Sequence, residues 1–292
     1  MEITNRYVVE KEIGKGAHGC VFKGKDQETG KVVAVKIVQK PFDGAKLETD
    51  VDYSFGTDEK HWRDRLRREL NIPRALVGHK NIATVIDHQE TSKEVMIVTE
   101  LIEGPTLLKY RLPTDKKALL DICYQLADAV RFMHSKGIAH RDLKPANIMM
   151  SPCGPVIIDF DMSCYGKNES VDKRLKYAND VMGTPNYMAP ELISYGRRNV
   201  TDFWIKAPDI FLCDLYALGC VFFFVLNGKK LPYSAKLTKD LFVLKLSQPP
   251  AASTFDNDRV NNMVDRLMGS NPQNRQTLDE IVMILNDALK SD

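Results

Sequence analysis

His140-Arg141-Asp142-Leu143-Lys144-Pro145-Ala146-Asn147 is the stretch around which the rest of the chain reads as organised. It sets a carboxylate (Asp142), an ammonium (Lys144) and a side-chain amide (Asn147) close together, after the helix-like run Leu126-Ala127-Asp128-Ala129-Val130-Arg131-Phe132-Met133-His134. These groups suit chemistry between a hydroxyl and a phosphate. A carboxylate can take the proton of an attacking hydroxyl, an ammonium can offset charge on a phosphoryl group, and an amide oxygen is a hard ligand for Mg²⁺. An isolated His-Arg-Asp also occurs as a surface turn carrying a salt bridge, so the reading depends on matching parts elsewhere, in the right order.

Such parts occur on both sides. Upstream, Ile13-Gly14-Lys15-Gly16-Ala17-His18-Gly19-Cys20-Val21 spaces three glycines so that backbone N–H groups can approach phosphate oxygens. The same spacing opens dinucleotide-binding folds, but there it leads from a strand into a helix, whereas here it lies between strand-like runs. Val33-Ala34-Val35-Lys36 follows, and downstream come Asp159-Phe160-Asp161 and Gly183-Thr184-Pro185-Asn186-Tyr187-Met188-Ala189-Pro190-Glu191. Taken in this order, the motifs resemble those of the eukaryotic protein-kinase family, in its serine/threonine class, from about Tyr7 to Leu289.

The resemblance implies an α+β, two-lobed protein-kinase fold in a single domain over 1–292: a small antiparallel sheet with one main helix at about 7–101, and a mainly helical lobe at about 102–290. Tyr7–Val38 alternates apolar and polar residues as such a sheet requires, with Val8, Ile13, Val21, Phe22, Val33, Val35 and Ile37 as expected anchors. It also implies ATP and Mg²⁺. The Gly-rich residues cover the nucleotide, Val21 and Ala34 its adenine, Lys36 its α- and β-phosphates, and Glu69 holds Lys36. Glu100 and Ile102 supply the adenine-binding backbone groups, Thr99 is the small residue at the entrance to a deeper pocket, and Met149 is the floor. Asn147 and Asp159 are the metal ligands, Asp142 the base and Lys144 its catalytic neighbour. Thr184 lies in the substrate loop and hydrogen-bonds near Asp142 and Lys144, Asp214 holds the catalytic-loop backbone, and Arg275 pairs with Glu191. Tyr216 stands where tryptophan is common.

Departures from the family pattern are specific. Asp161 replaces a glycine, and a positive φ there would cost about 1 kcal/mol. Pro73 follows Glu69 by one helical turn, so that helix should end early or kink. Surface insertions are expected at about 41–62 and 194–211; the first is a solvated loop, or a docking or modification segment through Ser54 or Thr57. Ser163, Tyr165, Ser170 and Tyr177 are candidate phosphate acceptors, Ser170 the preferred one, while Lys173, Arg174 and Lys176 serve either as a phosphate pocket with Arg141 or only to solvate the loop. The expected activity is transfer of the γ-phosphate of Mg-ATP to serine and threonine hydroxyls of proteins. Alternatives are a pseudokinase acting as a nucleotide- or partner-binding scaffold, and a dual-specificity kinase.

Composition bounds the setting. A net charge of +2 over 292 residues gives no pull toward nucleic acid or membrane. The start lacks a signal-peptide core or a myristoylation glycine, and the apolar run near Tyr216–Leu226 is too short to span a bilayer. Six cysteines without a CxxC pair read as reduced thiols. A cytoplasmic monomer acting on proteins is the expectation, with the nucleus left open.

Overall fold

Alternating side chains after Arg6 fold into strands β1 (Tyr7–Gly16), β2 (Gly19–Asp26) and β3 (Val32–Gln39), followed by β4 (Val85–Glu90) and β5 (Glu94–Glu100). They form an antiparallel five-stranded sheet in the order β1-β2-β3-β5-β4. The structure is a computed structural model and describes residues 6–16, 19–40, 59–166, 183–196 and 208–291.

The period of two sorts the sheet's side chains onto two faces. Tyr7, Val33, Val35, Ile37, Met96 and Val98 bury on one. On the other, Val85, Val95 and Ile97 pack with Leu66, Leu70 and Trp62 of helix α1 (Glu59–Ala75). Lys36 lies between Val35 and Ile37, so the alternation turns it toward α1. Two expected anchors fail: Val8 is 47% and Ile13 49% exposed. β1 is an edge strand, and register shifts between Val9 and Lys11 and between Glu12 and Gly14 break its alternation.

Helix α1 also corrects the first insertion. Residues 59–62 belong to the helix, and the expected acceptors Ser54 and Thr57 lie outside the described residues. Pro73 is accommodated in the last turn, and the helix ends at Ala75. Just there Ile72 and Leu76 enter the core of the other lobe.

That lobe is built on α2 (Lys116–Ser135), α3 (Pro190–Gly196), α4 (Ile210–Leu226), α5 (Thr238–Ser247), α6 (Asp258–Leu267) and α7 (Leu278–Lys290). Short pairs β6 (Ile138–Ala139) with β9 (Cys164–Tyr165), and β7 (Ile148–Ser151) with β8 (Gly154–Ile157), frame its upper edge. Asp115, Asp209, Asn257 and Thr277 cap the starts of α2, α4, α6 and α7, where side-chain oxygens accept orphan backbone N–H groups. Helix α4 is apolar all round and correspondingly buried. Gly219 lets α4 approach α6, since a Cβ there would stand 2.7 Å from Leu267 Cβ. The second insertion is shorter than expected: 194–196 close α3, 210–211 open α4, and 197–207 lie outside the described residues. Among the described residues no helix is long and apolar enough to cross a membrane.

Candidate active site

The loop between β6 and β7 is held from below by Asp214 of α4. Its buried carboxylate accepts the backbone N–H groups of His140 at 2.7 Å and Arg141 at 2.8 Å, and lies 3.1 Å from His134 Nε2. Arg141 needs this support, because its φ of 69° is left-handed, which costs a non-glycine residue roughly 1 kcal/mol. His140 adds a second brace. Its Nδ1 accepts the Asp142 N–H at 3.3 Å, which leaves Nε2–H to donate to Ile158 O at 3.2 Å.

So positioned, Asp142 is 6% exposed and hydrogen-bonded through both oxygens. Oδ1 accepts from Thr184 Oγ1 at 2.8 Å and Thr184 N at 2.9 Å; Oδ2 accepts from Lys144 Nζ at 2.5 Å and Asn147 Nδ2 at 3.0 Å. Lys144 Nζ also donates to Thr184 Oγ1 at 2.8 Å. Pro145 opens a 3₁₀ turn over Pro145–Asn147 that brings Asn147 back under Asp142. Gly183 makes the opposing loop fit. Its φ is 127°, and a Cβ would stand 3.1 Å from Arg141 O. Asp142, Thr184, Tyr187 and Met188 line a small void beside the cluster that Leu192, Ile210, Cys213 and Ala217 close toward the helical core.

Across from this loop, Lys36 Nζ donates to Glu69 Oε1 and lies 3.8 Å from Asp159 Oδ1. Burial pulls the Lys36 pKa down, but Glu69 and Asp159, with a further contribution from Asp161, carry it above the ordinary lysine range. The amine therefore stays charged. Phe160 is 3% exposed, stacks tilted on His140 at 5.2 Å, and shares a core with Ile72 and Leu76 of α1. The strain expected at Asp161 is absent. Asp159 takes the left-handed angle, with φ of 65°, and Asp161 is outside that region and 4% exposed.

The expected nucleotide residues fall on β1, β2, β3 and β5 and on β7. Ile13, Gly14, Lys15 and Gly16 end β1 and Gly19, Cys20 and Val21 start β2, while Ala17 and His18 lie outside the described residues. Val21 pairs with Lys36, Ala34 with Thr99, and Val33 with Glu100. Ile102 follows β5, and Met149 of β7 bridges to Thr106. The donors also fit a divalent cation. Both bonds of the Asn147 amide nitrogen go to Asp142, to its main-chain O at 3.0 Å and to Oδ2, leaving the amide oxygen for a metal. Asp159 offers a carboxylate 38% exposed. One carboxylate and one amide leave coordination sites for phosphates and water, the usual arrangement for Mg²⁺.

Farther down, Arg275 donates to Glu191 at 2.5 and 3.0 Å and to Leu212 O at 2.8 Å. Ser163 is a correction: it is fully buried and donates to His140 O at 3.2 Å, so it is no accessible acceptor. Tyr165 is 38% exposed. Ser170, Lys173, Arg174, Lys176 and Tyr177 lie outside the described residues. Sequence reasoning passed over His134, whose only signal is its place at the end of α2, and Lys245, which reads as a helix-surface lysine.

A sheet lysine held by a helix carboxylate, set over an Asp-Lys-Asn loop in a two-lobed α+β fold, is the architecture of nucleotide-dependent phosphotransferases. Within that class the chain belongs to the protein kinase family: residues 7–284 match the protein kinase domain. A relative from Acanthamoeba polyphaga mimivirus, provisionally named a serine/threonine-protein kinase, is 28% identical over 97% of this chain and 95% of its own length. Serine/threonine-protein kinase 36 of Pongo abelii is 29% identical over 95% of this chain but 19% of its own length. The phosphorylase b kinase gamma catalytic chain, liver/testis isoform, of Mus musculus is 28% identical over 96% of this chain and 66% of its own. The chain thus spans a fifth of one such relative and nearly all of another.

Proposed function

We propose that this protein transfers the γ-phosphate of ATP to serine and threonine hydroxyls of other proteins. The observation that carries the reading is the cluster of Asp142, Lys144, Asn147 and Thr184, joined by hydrogen bonds of 2.5 to 3.0 Å.

In this reading an acceptor hydroxyl approaches Asp142 and displaces the Thr184 hydroxyl from it, and the carboxylate aligns the acceptor and receives its proton as the new P–O bond forms. The bond from the γ-phosphorus to the bridging oxygen breaks and ADP leaves. Lys144 offsets charge on the phosphoryl group in flight, and Lys36, kept charged by Glu69, holds the α- and β-phosphates. Asn147 and Asp159 would hold Mg²⁺, which when bound neutralises phosphate charge. Gly14, Gly16 and Gly19 let the hairpin close over the phosphates, and Ala34, Thr99, Glu100, Ile102 and Met149 enclose the base. The free cysteines support a reducing, cytoplasmic setting. A non-catalytic scaffold drew its support from Asp161, Pro73 and the two insertions. Asp161 adopts no left-handed angle, and Glu69, one turn before Pro73, reaches Lys36, so neither of these two favours that reading.

The test is transfer of label from γ-labelled Mg-ATP to a mixture of serine, threonine and tyrosine peptides. Label on serine or threonine is expected; label confined to tyrosine, or ATP binding with no transfer, would overturn the assignment.

A further inference from the structure

Lys245 of α5 is 1% exposed, an unusual place for an ammonium. Its Nζ donates to Asn186 O at 2.8 Å and to Met188 O at 2.9 Å. It also lies 4.9 Å from the ring centroid of Tyr216 and 5.7 Å from that of Tyr233. Glu191, the carboxylate whose charge it feels, is itself paired with Arg275, and Arg275 approaches the same Tyr216 ring at 5.2 Å. The lysine is thus held by two carbonyls and two aromatic faces, at a cost in desolvation that a methionine of similar length would not incur.

Both carbonyls belong to the loop that runs from Gly183 to Glu191. The same loop carries Thr184, whose backbone N–H and hydroxyl both donate to Asp142. Fixing Asn186 O and Met188 O therefore fixes the loop two residues beyond the one that contacts Asp142. The ammonium touches none of the reacting groups, so its effect on the reaction passes through this backbone.

We propose that Lys245 is a positioning residue for the protein acceptor, its ammonium tying the Asn186–Met188 backbone to helix α5 and so shaping the surface on which an acceptor peptide lies. The proposal rests on the phosphotransfer reading and names the part of that site that grips the substrate. Its chemistry has a second consequence. Burial holds the Lys245 pKa down to about 8, against the raising influence of Cys220 and Glu191. The groups facing it are the Cys220 thiol and Tyr216 ring of α4, Tyr233 before α5, Glu191 of α3 and, beyond Tyr216, Arg275. Burial raises the pKa values of Cys220, Tyr216 and Tyr233, so the ammonium is the first of these neighbours, Glu191 aside, to change charge as pH rises past neutrality. A neutral amine keeps weaker bonds to the carbonyls and loses its attraction to the rings.

The experiment compares wild type with Lys245→Met, measuring KM for a serine peptide and for Mg-ATP separately. Loss of a charge-assisted tether of this kind corresponds to a rise of about tenfold in peptide KM, with KM for Mg-ATP unchanged. An unchanged peptide KM, or both constants rising together as a general loss of structure would make them, overturns the proposal. Should that variant not fold, Lys245→Gln, which keeps a donor and loses the charge, decides: its peptide KM should rise while KM for Mg-ATP stays level, and an unchanged peptide KM refutes the tether. No transfer by wild type to any peptide removes the phosphotransfer reading and this proposal with it, whereas transfer with unaltered constants in the variant removes this proposal alone.

Discussion

Asp161 stands where the family has glycine, and its backbone explains why the change is tolerated. The left-handed angle in this segment falls on Asp159, with φ of 65°, so the Cβ of Asp161 meets no conformational penalty. What the residue adds is a buried negative charge that helps keep Lys36 protonated. Asp161→Gly removes no group that touches substrate, and turnover should change by less than about tenfold, far below the 10²–10⁴-fold attached to a general base. Initial rates at saturating Mg-ATP check this; a rise from undetectable to robust turnover would contradict it. At this scale the eight residues from His140 to Asn147 were legible because their chemistry is contiguous in the chain. The dihedral at position 161 was not, because the packing of Phe160 and the hold on Asp159 set it, and neither is written locally.

Elements were legible where periodicity was strong and misread where tertiary packing overrides it. The alternation over β3 correctly sends Lys36 to the face covered by α1, whereas Val8 and Ile13 follow the same alternation into an edge strand whose bulges leave them exposed. The charged start of α1 has no apolar residue before Trp62, so residues 59–62 resembled loop, whereas the helix begins at Glu59 and packs on β4 and β5 through Trp62, Leu66 and Leu70. Helix α5 hid Lys245 for a related reason: a lysine in a short helix reads as solvent-facing, and only the fold shows which loop lies behind it. Its burial has a defined pH signature. The folded pKa of about 8 lies below the ordinary 10.5, so between these values the unfolded chain binds a proton that the folded chain has released. Stability from this group therefore rises with pH across that window, and the cost of burying the ammonium is fully felt below it. Denaturant midpoints of wild type and Lys245→Met from pH 7 to 10.5 should converge or shift in favour of wild type as pH rises. A difference that stays constant would show that Lys245 does not titrate there.

Across the whole molecule, the site is assembled from parts far apart in sequence that converge on one cleft. The small-lobe sheet brings Lys36, α1 brings Glu69, α4 braces the catalytic loop through Asp214, and the loop before α3 delivers Thr184 to Asp142. Arg275 and Glu191 then fasten that loop's end to the helical core, and deleting one partner of such a buried pair costs roughly 3–5 kcal/mol. The most direct test of the account compares single-turnover phosphate transfer to a serine peptide by wild type and Asp142→Asn, with ATP affinity measured in parallel. Asp142→Asn keeps the shape of the site and removes the proton acceptor, so transfer should fall by about 10²–10⁴-fold with ATP binding unchanged. Transfer by the variant at the wild-type rate would contradict the role given to Asp142 and, with it, the mechanism built on the catalytic loop.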